Sequence, residues 1–314
     1  MSAAARIALS VGDPNGIGPE IVLKALAALA DEPRVRATVF GPRVVLERAA
    51  TVTGLQALLA KTDVRATGEL PAAATKFGAI DAEAGACAVA AATAAIQACR
   101  AGEFDAVVAG PHHETAIAQA GIPFSGYPSL VARVCGQPED SVFLLLVGGG
   151  LRIVHVTLHE SVATALARIT PELVVAATQA GARALRALGV ANPRIGLFGI
   201  NPHASEGTLF GPEDARCVIP AAQRLRELGL DITGPQGADV LLADRAHDLY
   251  VAMLHDQGHI PVKLLAPQAA SAISIGADVL LASTGHGSAM DIAGTGAARP
   301  DALLRSVRLV AGLS

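Results

Sequence analysis

The sequence predicts an α/β protein built on a largely parallel, doubly wound sheet. Short runs rich in Val, Ile and Leu alternate with longer Ala/Leu-rich runs of helical character, and this alternation is typical of βαβ units. The core must be aliphatic, because the chain has no Trp, two Tyr and seven Phe, while 52% of its residues are hydrophobic. Buried parallel strands have this composition.

The predicted elements follow one another in order. The first strand, ARIALSVG, precedes the helix GPEIVLKALAALA, and the strand RATVFG precedes the helix RVVLERAATVTG. The helix AGACAVAAATAAIQACRAG is followed by the strand DAVVAGP. The tight turn VGGGLR predicts an antiparallel hairpin between SVFLLLVG and LRIVHVTLH. This hairpin could serve as an arm that contacts a second subunit. One long helix, ATALARITPELVVAATQAGARALRALG, precedes RIGLFGI and LYVAML, and ADVLLAST precedes the last helix, DALLRSVRLVAGL.

Composition also narrows the class of partner and the compartment. The net charge is −4 and no long basic run occurs, which argues against nucleic acid or an anionic membrane as the main partner. The four cysteines, Cys87, Cys99, Cys135 and Cys217, form no CxxC pair, so we expect a reducing cytoplasm. Gly, Asp and Pro interrupt the N-terminal run too early for a signal-peptide core, and no apolar run is long enough to span a bilayer.

Polar clusters follow six of the predicted strands. Ligands of open α/β sheets bind beyond the carboxyl ends of the strands, so the clusters predict a functional site along one edge. In chain order they are GDPNGIGPE, GPHHETA, HE, NPHASEG, HDQGH and GHGSAMDIAG.

Three histidines at strand exits predict a catalytic metal site. His159, His203 and His255 each follow a different strand, and three imidazoles with one open position are typical of catalytic zinc, although Mg, Mn or Co remain alternatives. The alternative is that each histidine only bonds a loop backbone. Asp256 is placed to orient a ligand imidazole. We expect His155 to be buried and bonded to backbone, whereas His259 could be a support, a substrate contact or neither.

The segment Gly285–Ser306 is the candidate nucleotide-binding stretch. Its small residues allow close approach of a ligand, and Asp291 could accept ribose hydroxyls. The alternative is a tight turn before a helix, with Asp301 as its N-cap. NGIGPE lacks a complete GxGxxG pattern. Only Arg299 lies near Asp291 to receive a 2′-phosphate, which favours NAD. The candidate contacts are His286, Gly287, Ser288, Asp291 and Gly294.

Taken together, GDPNGIGPEI, GINPHASEG, HDQG and HGSAMDIAG resemble the 4-hydroxythreonine-4-phosphate dehydrogenase family along essentially the whole chain. HGSAMDIAGTGAARPDALL also resembles isocitrate and isopropylmalate dehydrogenases. The resemblance implies NAD-linked oxidation of a secondary alcohol beside a carboxylate, followed by decarboxylation, with one divalent metal per subunit on His159, His203 and His255. It implies two α/β domains, 1–125 with 275–314 and 126–274, an active site in the cleft between them, and a homodimer whose partner contributes to the metal site.

Departures from the family pattern disfavour a phosphorylated substrate. Tyr127 and Pro128 stand where phosphate-binding members carry His-Thr, and Glu114 replaces a usual lysine. Ala272 and Leu281 stand at positions aligned with Asn and Arg. Each loss removes a charge-assisted hydrogen bond to phosphate.

PHHETAIAQAGI, FSGYPSL and VAMLHDQGHIPVKLLAP instead resemble the terephthalate-degrading branch of the family. This implies a dicarboxylate cis-dihydrodiol that is oxidised and decarboxylated to protocatechuate. The alternatives are a phosphorylated hydroxy-acid dehydrogenase, a three-histidine metal-dependent hydrolase and a non-catalytic binding protein. The candidate catalytic residues are Lys263, Asp256 and Asp239, and the candidate substrate contacts are His112, His113, Tyr127 and Lys263.

Overall fold

The computed structural model describes residues 4–71, 75–267 and 269–313. The chain divides into two compact units, the first formed by residues 1–136 and 278–314 and the second by residues 137–277. The sequence placed the boundaries after residues 125 and 274. The helix Tyr127–Cys135, which that division assigned to the second domain, lies in the first unit.

The first unit contains a parallel sheet with the strand order β3-β2-β1-β4-β11. Parallel pairing places the carboxyl ends of its strands at one edge, as predicted. The elements are β1 Ala5–Ser10, α1 Gly18–Ala28, β2 Val35–Phe40, α2 Arg43–Thr53, α3 Gln56–Leu59, β3 Val64–Arg65, α4 Ala82–Arg100, β4 Ala106–Ala109, α5 Glu114–Gln119, α6 Tyr127–Cys135, β11 Leu281–Thr284 and α12 Asp301–Val310.

The second unit contains a mixed sheet with the order β10-β5-β6-β9-β7-β8. Strands β6, β9, β7 and β8 are parallel, whereas β5 is antiparallel to both β6 and β10. The elements are β5 Phe143–Gly148, β6 Leu151–His155, α7 Val162–Arg168, α8 Pro171–Ala187, β7 Arg194–Phe198, α9 Ile219–Glu227, β8 Asp231–Gln236, α10 Ala238–Asp244, β9 Leu249–Ala252, α11 His255–Leu265 and β10 Ser271–Ile275.

The hairpin predicted at VGGGLR is confirmed. Gly148 pairs with Leu151 across a two-residue turn, and the turn residues Gly149 and Gly150 have φ values of 61° and 80°. Two consecutive positive φ angles define the turn type that matches the twist of antiparallel strands, and glycine adopts them without strain.

The long helix predicted over residues 163–189 is wrong in one respect, because the structure divides it into α7 and α8. Thr170 caps α8 by accepting a hydrogen bond from the backbone N–H of Leu173 (3.2 Å). Pro171 follows at the first helical position, where its missing N–H costs nothing. A Thr-Pro pair inside an apolar periodic run therefore marks a new helix start.

The expectation that no apolar run is long enough to span a bilayer is wrong for α4, which is the one described helix that could cross a membrane by length and composition. More than half of its apolar window, 56%, is buried in the protein, where α4 packs against α5, β1 and β4. It is a core helix of the first unit.

The four cysteines are unpaired. Burial raises the pKa of Cys87, which lies on α4, to about 12.

Candidate active site

The six polar clusters lie at the carboxyl ends of strands, as predicted, but in two groups. Those after β1, β4 and β11 belong to the sheet of the first unit, and those after β6, β7 and β9 belong to the sheet of the second. Each unit therefore presents its own candidate ligand-binding edge.

In the second unit, α11 begins at His255, directly after β9. His255, His259 and Lys263 are spaced by four residues, so they share one face of this helix. Gln257 fixes the start of the helix: its side-chain oxygen accepts from the N–H groups of Met253 (2.9 Å) and Leu254 (3.0 Å). Its amide nitrogen donates to the carbonyl of Gly199 (2.8 Å), beyond the end of β7.

Four imidazoles, those of His155, His159, His255 and His259, form what we call the histidine cluster. The rings of His255 and His259 are stacked, with centroids 3.7 Å apart and an interplanar angle of 13°. The ring of His159 lies 5.4 Å from that of His255. A hollow of about 320 Å³ opens beside them, lined by Thr157, Leu158, His159, Glu160, Val162, Ala165, Leu254, His255, Asp256 and Gln257.

Hydrogen bonds fix the tautomers of two of these rings. A carbonyl oxygen only accepts, so Nδ1 of His155, 3.4 Å from the carbonyl of Leu144, carries the proton. Its Nε2 must then accept from Nδ1 of His259 at 3.0 Å, which leaves Nε2 of His259 with a free lone pair. Burial lowers the pKa of His155 to about 3 and that of His259 to about 4, so both rings are neutral. The prediction of a buried, backbone-bonded His155 is confirmed.

Asp256 contacts His255 as predicted. Its Oδ1 lies 2.7 Å from Nδ1 of His255. A carboxylate accepting from Nδ1–H leaves Nε2 of the same ring free to bind a metal or a ligand, which is the usual orientation of metal-ligating histidines.

His203 lies apart from the histidine cluster, with its ring beside Phe210, centroids 6.2 Å apart. It is exposed on the turn Pro202–Thr208, where His203, Ala204 and Ser205 have φ values of 53°, 52° and 70°. The buried carboxylate of Asp214 holds this turn by accepting from the N–H of Ile200 (2.7 Å) and Asn201 (3.0 Å) and from the Ser205 hydroxyl (2.7 Å).

The donor chemistry of the predicted metal site suits a divalent cation, but its geometry is incomplete within one chain. His159 and His255 lie together, and His203 does not join them. Among residues 4–71, 75–267 and 269–313, no group of three His, Cys, Asp or Glu side chains is arranged to hold a metal ion. A three-ligand site is therefore not formed by the described part of a single chain.

The other predicted catalytic residues are placed differently. Lys263 is half-buried on the face of α11 that carries His255 and His259, and burial lowers its pKa. Asp239 is exposed in the first turn of α10 and does not line the hollow beside His255. Their catalytic roles stay predictions.

In the first unit, a hollow of about 610 Å³ brings two sets of predicted contacts together. His112 and His113, predicted for substrate, face Gly287, Ser288 and Asp291, predicted for nucleotide. The remaining lining residues are Glu114, Thr115, Ala289 and Met290. Two predicted nucleotide contacts, His286 and Gly294, do not line this hollow. Gly294 instead packs so closely that a side chain there would meet the ring of Phe77 at 2.3 Å.

Tyr127, predicted as a substrate contact, and Leu281, at a position aligned with an Arg of phosphate-binding members, are both buried and do not line the hollow. Tyr127 is 5% exposed and its hydroxyl donates to the carbonyl of Gly110 at 2.6 Å. Its ring packs edge to face against that of His112, with centroids 4.9 Å apart and an interplanar angle of 85°. Leu281 is fully buried in β11. Any effect of these residues on the substrate is therefore indirect.

Asp13 is a residue that sequence reasoning missed. Its side chain is fully buried, Oδ1 accepts from the N–H of Asn15 at 2.8 Å, and Oδ2 has no hydrogen-bond partner among the described atoms. Burial raises its pKa to about 6. A carboxyl directly after a buried strand was visible in the sequence, but its missing partner was not.

Comparison with known proteins identifies one matching family and similar proteins that cover nearly the whole chain. The family described as pyridoxal phosphate biosynthetic protein PdxA matches residues 33–310. The chain is 58% identical over 305 residues to 1,2-dihydroxy-3,5-cyclohexadiene-1,4-dicarboxylate dehydrogenase of Comamonas sp., covering 97% of this chain and 96% of that protein.

Two crystal structures of relatives cover nearly the whole chain. Terephthalate 1,2-cis-dihydrodioldehydrogenase from Burkholderia xenovorans LB400 is 48% identical over 98% of each chain, with a TM-score of 0.73. 4-Hydroxythreonine-4-phosphate dehydrogenase from Burkholderia phymatum is 35% identical over 99% of each chain, with a TM-score of 0.83. The predicted α/β class is confirmed, whereas the finer likeness to isocitrate and isopropylmalate dehydrogenases stays a prediction.

Proposed function

This chain belongs to the PdxA family and is a dehydrogenase, and we propose that it oxidises and decarboxylates the cis-dihydrodiol of terephthalate with NAD. The observation that carries the proposal is the 58% identity, across almost the full length, to a dehydrogenase named for that dihydrodiol dicarboxylate. The D-threonate 4-phosphate dehydrogenase of Cupriavidus necator is 38% identical. Tyr127-Pro128 in place of His-Thr points in the same direction.

The proposed reaction balances without a further reactant. The secondary alcohol carbon gives a hydride to NAD, and its hydroxyl proton is taken up transiently. The product is a β-keto acid, because the adjacent ring carbon carries a carboxylate. The bond to that carboxylate then breaks, its electron pair forms an enolate, and the proton returns to the enolate oxygen. The products are protocatechuate, carbon dioxide and NADH.

The hollow of the first unit supports NAD as the cofactor. Gly287 borders open space, since a side chain there would meet no atom within 4 Å, and the exposed carboxylate of Asp291 can accept ribose hydroxyls. Among the described residues that line the hollow there is no Lys or Arg. Arg299, the nearest cation in the sequence, is paired with Asp301 at 2.9 Å. These features suit a ribose hydroxyl better than a 2′-phosphate.

The second unit supplies groups for the reacting end. As an ammonium, Lys263 can pair with a substrate carboxylate. As a neutral amine, the form that partial burial favours by lowering its pKa, it can take up the transient proton. Nε2 of His259 is a fixed acceptor beside it. A divalent cation bound at His159 and His255 would polarise the oxygen of the alcohol and then of the ketone.

Turnover tests the proposal directly. The terephthalate cis-dihydrodiol is supplied with NAD, and NADH and carbon dioxide are measured together. We expect one of each per ring aromatised, with kcat/KM far above that for 4-hydroxythreonine 4-phosphate or D-threonate 4-phosphate. A higher kcat/KM for either phosphorylated substrate would replace the proposal by the biosynthetic-type reaction. Failure of the chain to bind NAD would revive the hydrolase alternative.

We further propose that the metal site is completed across a homodimer, as the resemblance implied. The separation of His203 from the pair His159 and His255 supports this, because a two-fold axis can bring a group from a second copy to each pair. The four unpaired cysteines fit a reducing compartment such as the cytoplasm.

Mixed dimers test how the ligands are shared. His159→Ala, His203→Ala and His255→Ala should each lose bound metal and turnover. Unfolding and refolding a mixture of His159→Ala and His203→Ala should restore about a quarter of wild-type activity and metal, because half of the dimers are mixed and one of their two sites is intact. The matched mixture of His159→Ala and His255→Ala should stay inactive, because both losses fall on the same chain's pair. No recovery of activity or metal in the mixture of His159→Ala and His203→Ala, together with a monomer by light scattering, would exclude the shared site.

A further inference from the structure

One wall of the hollow in the first unit has no helix or strand to hold it. We call Ser288–Ala298 the wall segment. It includes the lining residues Ser288 to Asp291, and its backbone consists of turns and irregular structure. A ligand that binds against such a segment depends on whatever fixes its backbone.

The start of α1 holds one end of the wall segment. The N–H of Ile17 donates to the carbonyl of Ser288 at 2.9 Å. Gly16 packs so closely that a side chain there would lie 2.8 Å from Cβ of Ser288. NGIGPE, which sequence analysis considered as a weak nucleotide motif, is therefore in contact with the wall rather than with open space.

The first two turns of α1 hold the other end through Glu20 and Lys24. The side chain of Glu20 is 4% exposed. Its Oε1 accepts from the N–H of Ala298 at 2.9 Å and its Oε2 from the N–H of Gly296 at 3.3 Å. Lys24 Nζ donates to the carbonyls of Gly296 and Ala298 and to Glu20 Oε1, each at 2.7 Å.

Every hydrogen of the Lys24 ammonium is used, since the group has three donors. The pair captures both the N–H and the carbonyl of Gly296 and of Ala298. A buried ion pair of this kind adds little net stability over apolar residues of similar size. Its distinctive property is geometric, because it fixes four backbone groups in one conformation.

We propose that Glu20 and Lys24 are positioning residues for a dinucleotide bound in the hollow of the first unit. Together with the contact of Ile17 at Ser288, they hold both ends of the wall segment, and so they set the conformation in which Ser288 and Asp291 face the ligand. The proposal rests on the proposed NAD-linked function and assigns the α1 motif a role in cofactor affinity.

The test compares cofactor affinity with turnover in matched variants. Lys24→Met removes the three donors and keeps the aliphatic stem, and Glu20→Leu combined with Lys24→Leu replaces the ion pair by an apolar pair. The control is Arg6→Met, which breaks the Arg6–Asp105 pair (2.6 Å) of the same unit, whose side chains are about half exposed. Readouts are the Kd of NADH by fluorescence, KM for NAD, kcat at saturating NAD, and amide hydrogen exchange.

In Lys24→Met and in the apolar double variant we expect Kd and KM for the cofactor to rise by about 10-fold or more, because small displacements of a binding wall have effects of this size. We expect kcat at saturation to stay within about twofold, because the reacting groups are untouched. Amides of the wall segment should exchange faster in these two variants than in the wild type. In Arg6→Met the same amides should exchange at the wild-type rate.

Unchanged Kd and KM in both variants, with wild-type NAD binding intact, would overturn the positioning role. An equal loss in kcat would also overturn it, because that result indicates general damage. If the wild-type chain itself fails to bind NADH, the proposed function fails instead, and the hydrogen-exchange comparison still reports whether the pair holds the segment.

Discussion

The two candidate ligand-binding regions are built in different ways. The histidine cluster of the second unit consists of side chains on α11 and around the end of β6, and their positions follow from regular structure. The hollow of the first unit is lined largely by backbone and small side chains of a segment without regular structure. That segment is held by residues far away in sequence, with a separation of 276 between Glu20 and Gly296.

This difference decides where each region tolerates change. In the histidine cluster, neighbouring rings and the helix backbone are packed against one another, so space is the limiting factor. In the hollow, space is available and the conformation of the wall is the limiting factor. A glycine-to-alanine substitution should therefore lower the unfolding free energy in the histidine cluster and leave it nearly unchanged in the hollow.

Gly258→Ala in α11 should produce the largest effect. A Cβ at this position would lie 2.3 Å from Nε2 of His155, which is fully buried. Either α11 or the His155 ring must move, and overpacking of this kind costs about 3 kcal/mol. We expect a loss of unfolding free energy near that value, measured by denaturant titration, and weaker metal binding because His255 lies on the same helix.

Gly287→Ala is the matched control in the hollow. A Cβ there meets no atom within 4 Å, so we expect a change in unfolding free energy below about 0.5 kcal/mol with weaker NADH binding. Equal stability losses in both variants would contradict the contrast between the two regions.

Most of the fold was predictable because its signals are local. Alternating apolar runs identified the parallel strands, and the Gly-Gly turn identified the hairpin. The break between α7 and α8 was missed, although Thr170-Pro171 carries a recognisable helix-start signal. Strand β10, SAISI, was also missed, because its short alternating pattern lies between turn residues and pairs antiparallel with β5.

The candidate site was predictable where spacing implies geometry. His255, His259 and Lys263 recur every four residues, so their common helix face could be derived from the sequence. The buried position of Tyr127, the separation of His203 and the support of the wall by Glu20 depend on contacts between distant segments. Local sequence does not encode such contacts in a readable pattern.

The two regions also differ in how their buried groups respond to pH. In the second unit, burial lowers the pKa of His155 to about 3 from its ordinary 6.5. The folded state therefore loses stability as the pH falls from 6.5 towards 3, because the unfolded chain binds the proton at the higher pH. In the first unit, burial raises the pKa of Asp13 from 3.8 to about 6. The folded state holds that proton more tightly, so its contribution is greatest below pH 3.8 and is lost as pH rises towards 6.

Asp13→Asn isolates the second of these effects. The amide keeps an oxygen to accept from the N–H of Asn15, and it cannot ionise. The difference in unfolding free energy, variant minus wild type, should therefore increase by about 2 to 3 kcal/mol between pH 3.5 and pH 7, since each pKa unit corresponds to about 1.4 kcal/mol. Denaturant titrations of both proteins at each pH measure this difference, in which the contributions of all other titrating groups cancel.

Asp105→Asn is the control of opposite sign, because the hydrogen bond from Arg6 lowers the pKa of that exposed carboxyl. Replacing Asp105 should therefore cost more unfolding free energy at neutral pH than in acid. A flat difference for Asp13→Asn would mean that water or a bound group reaches Oδ2 and solvates the carboxylate, and the contrast in buried charge between the two regions would then fall.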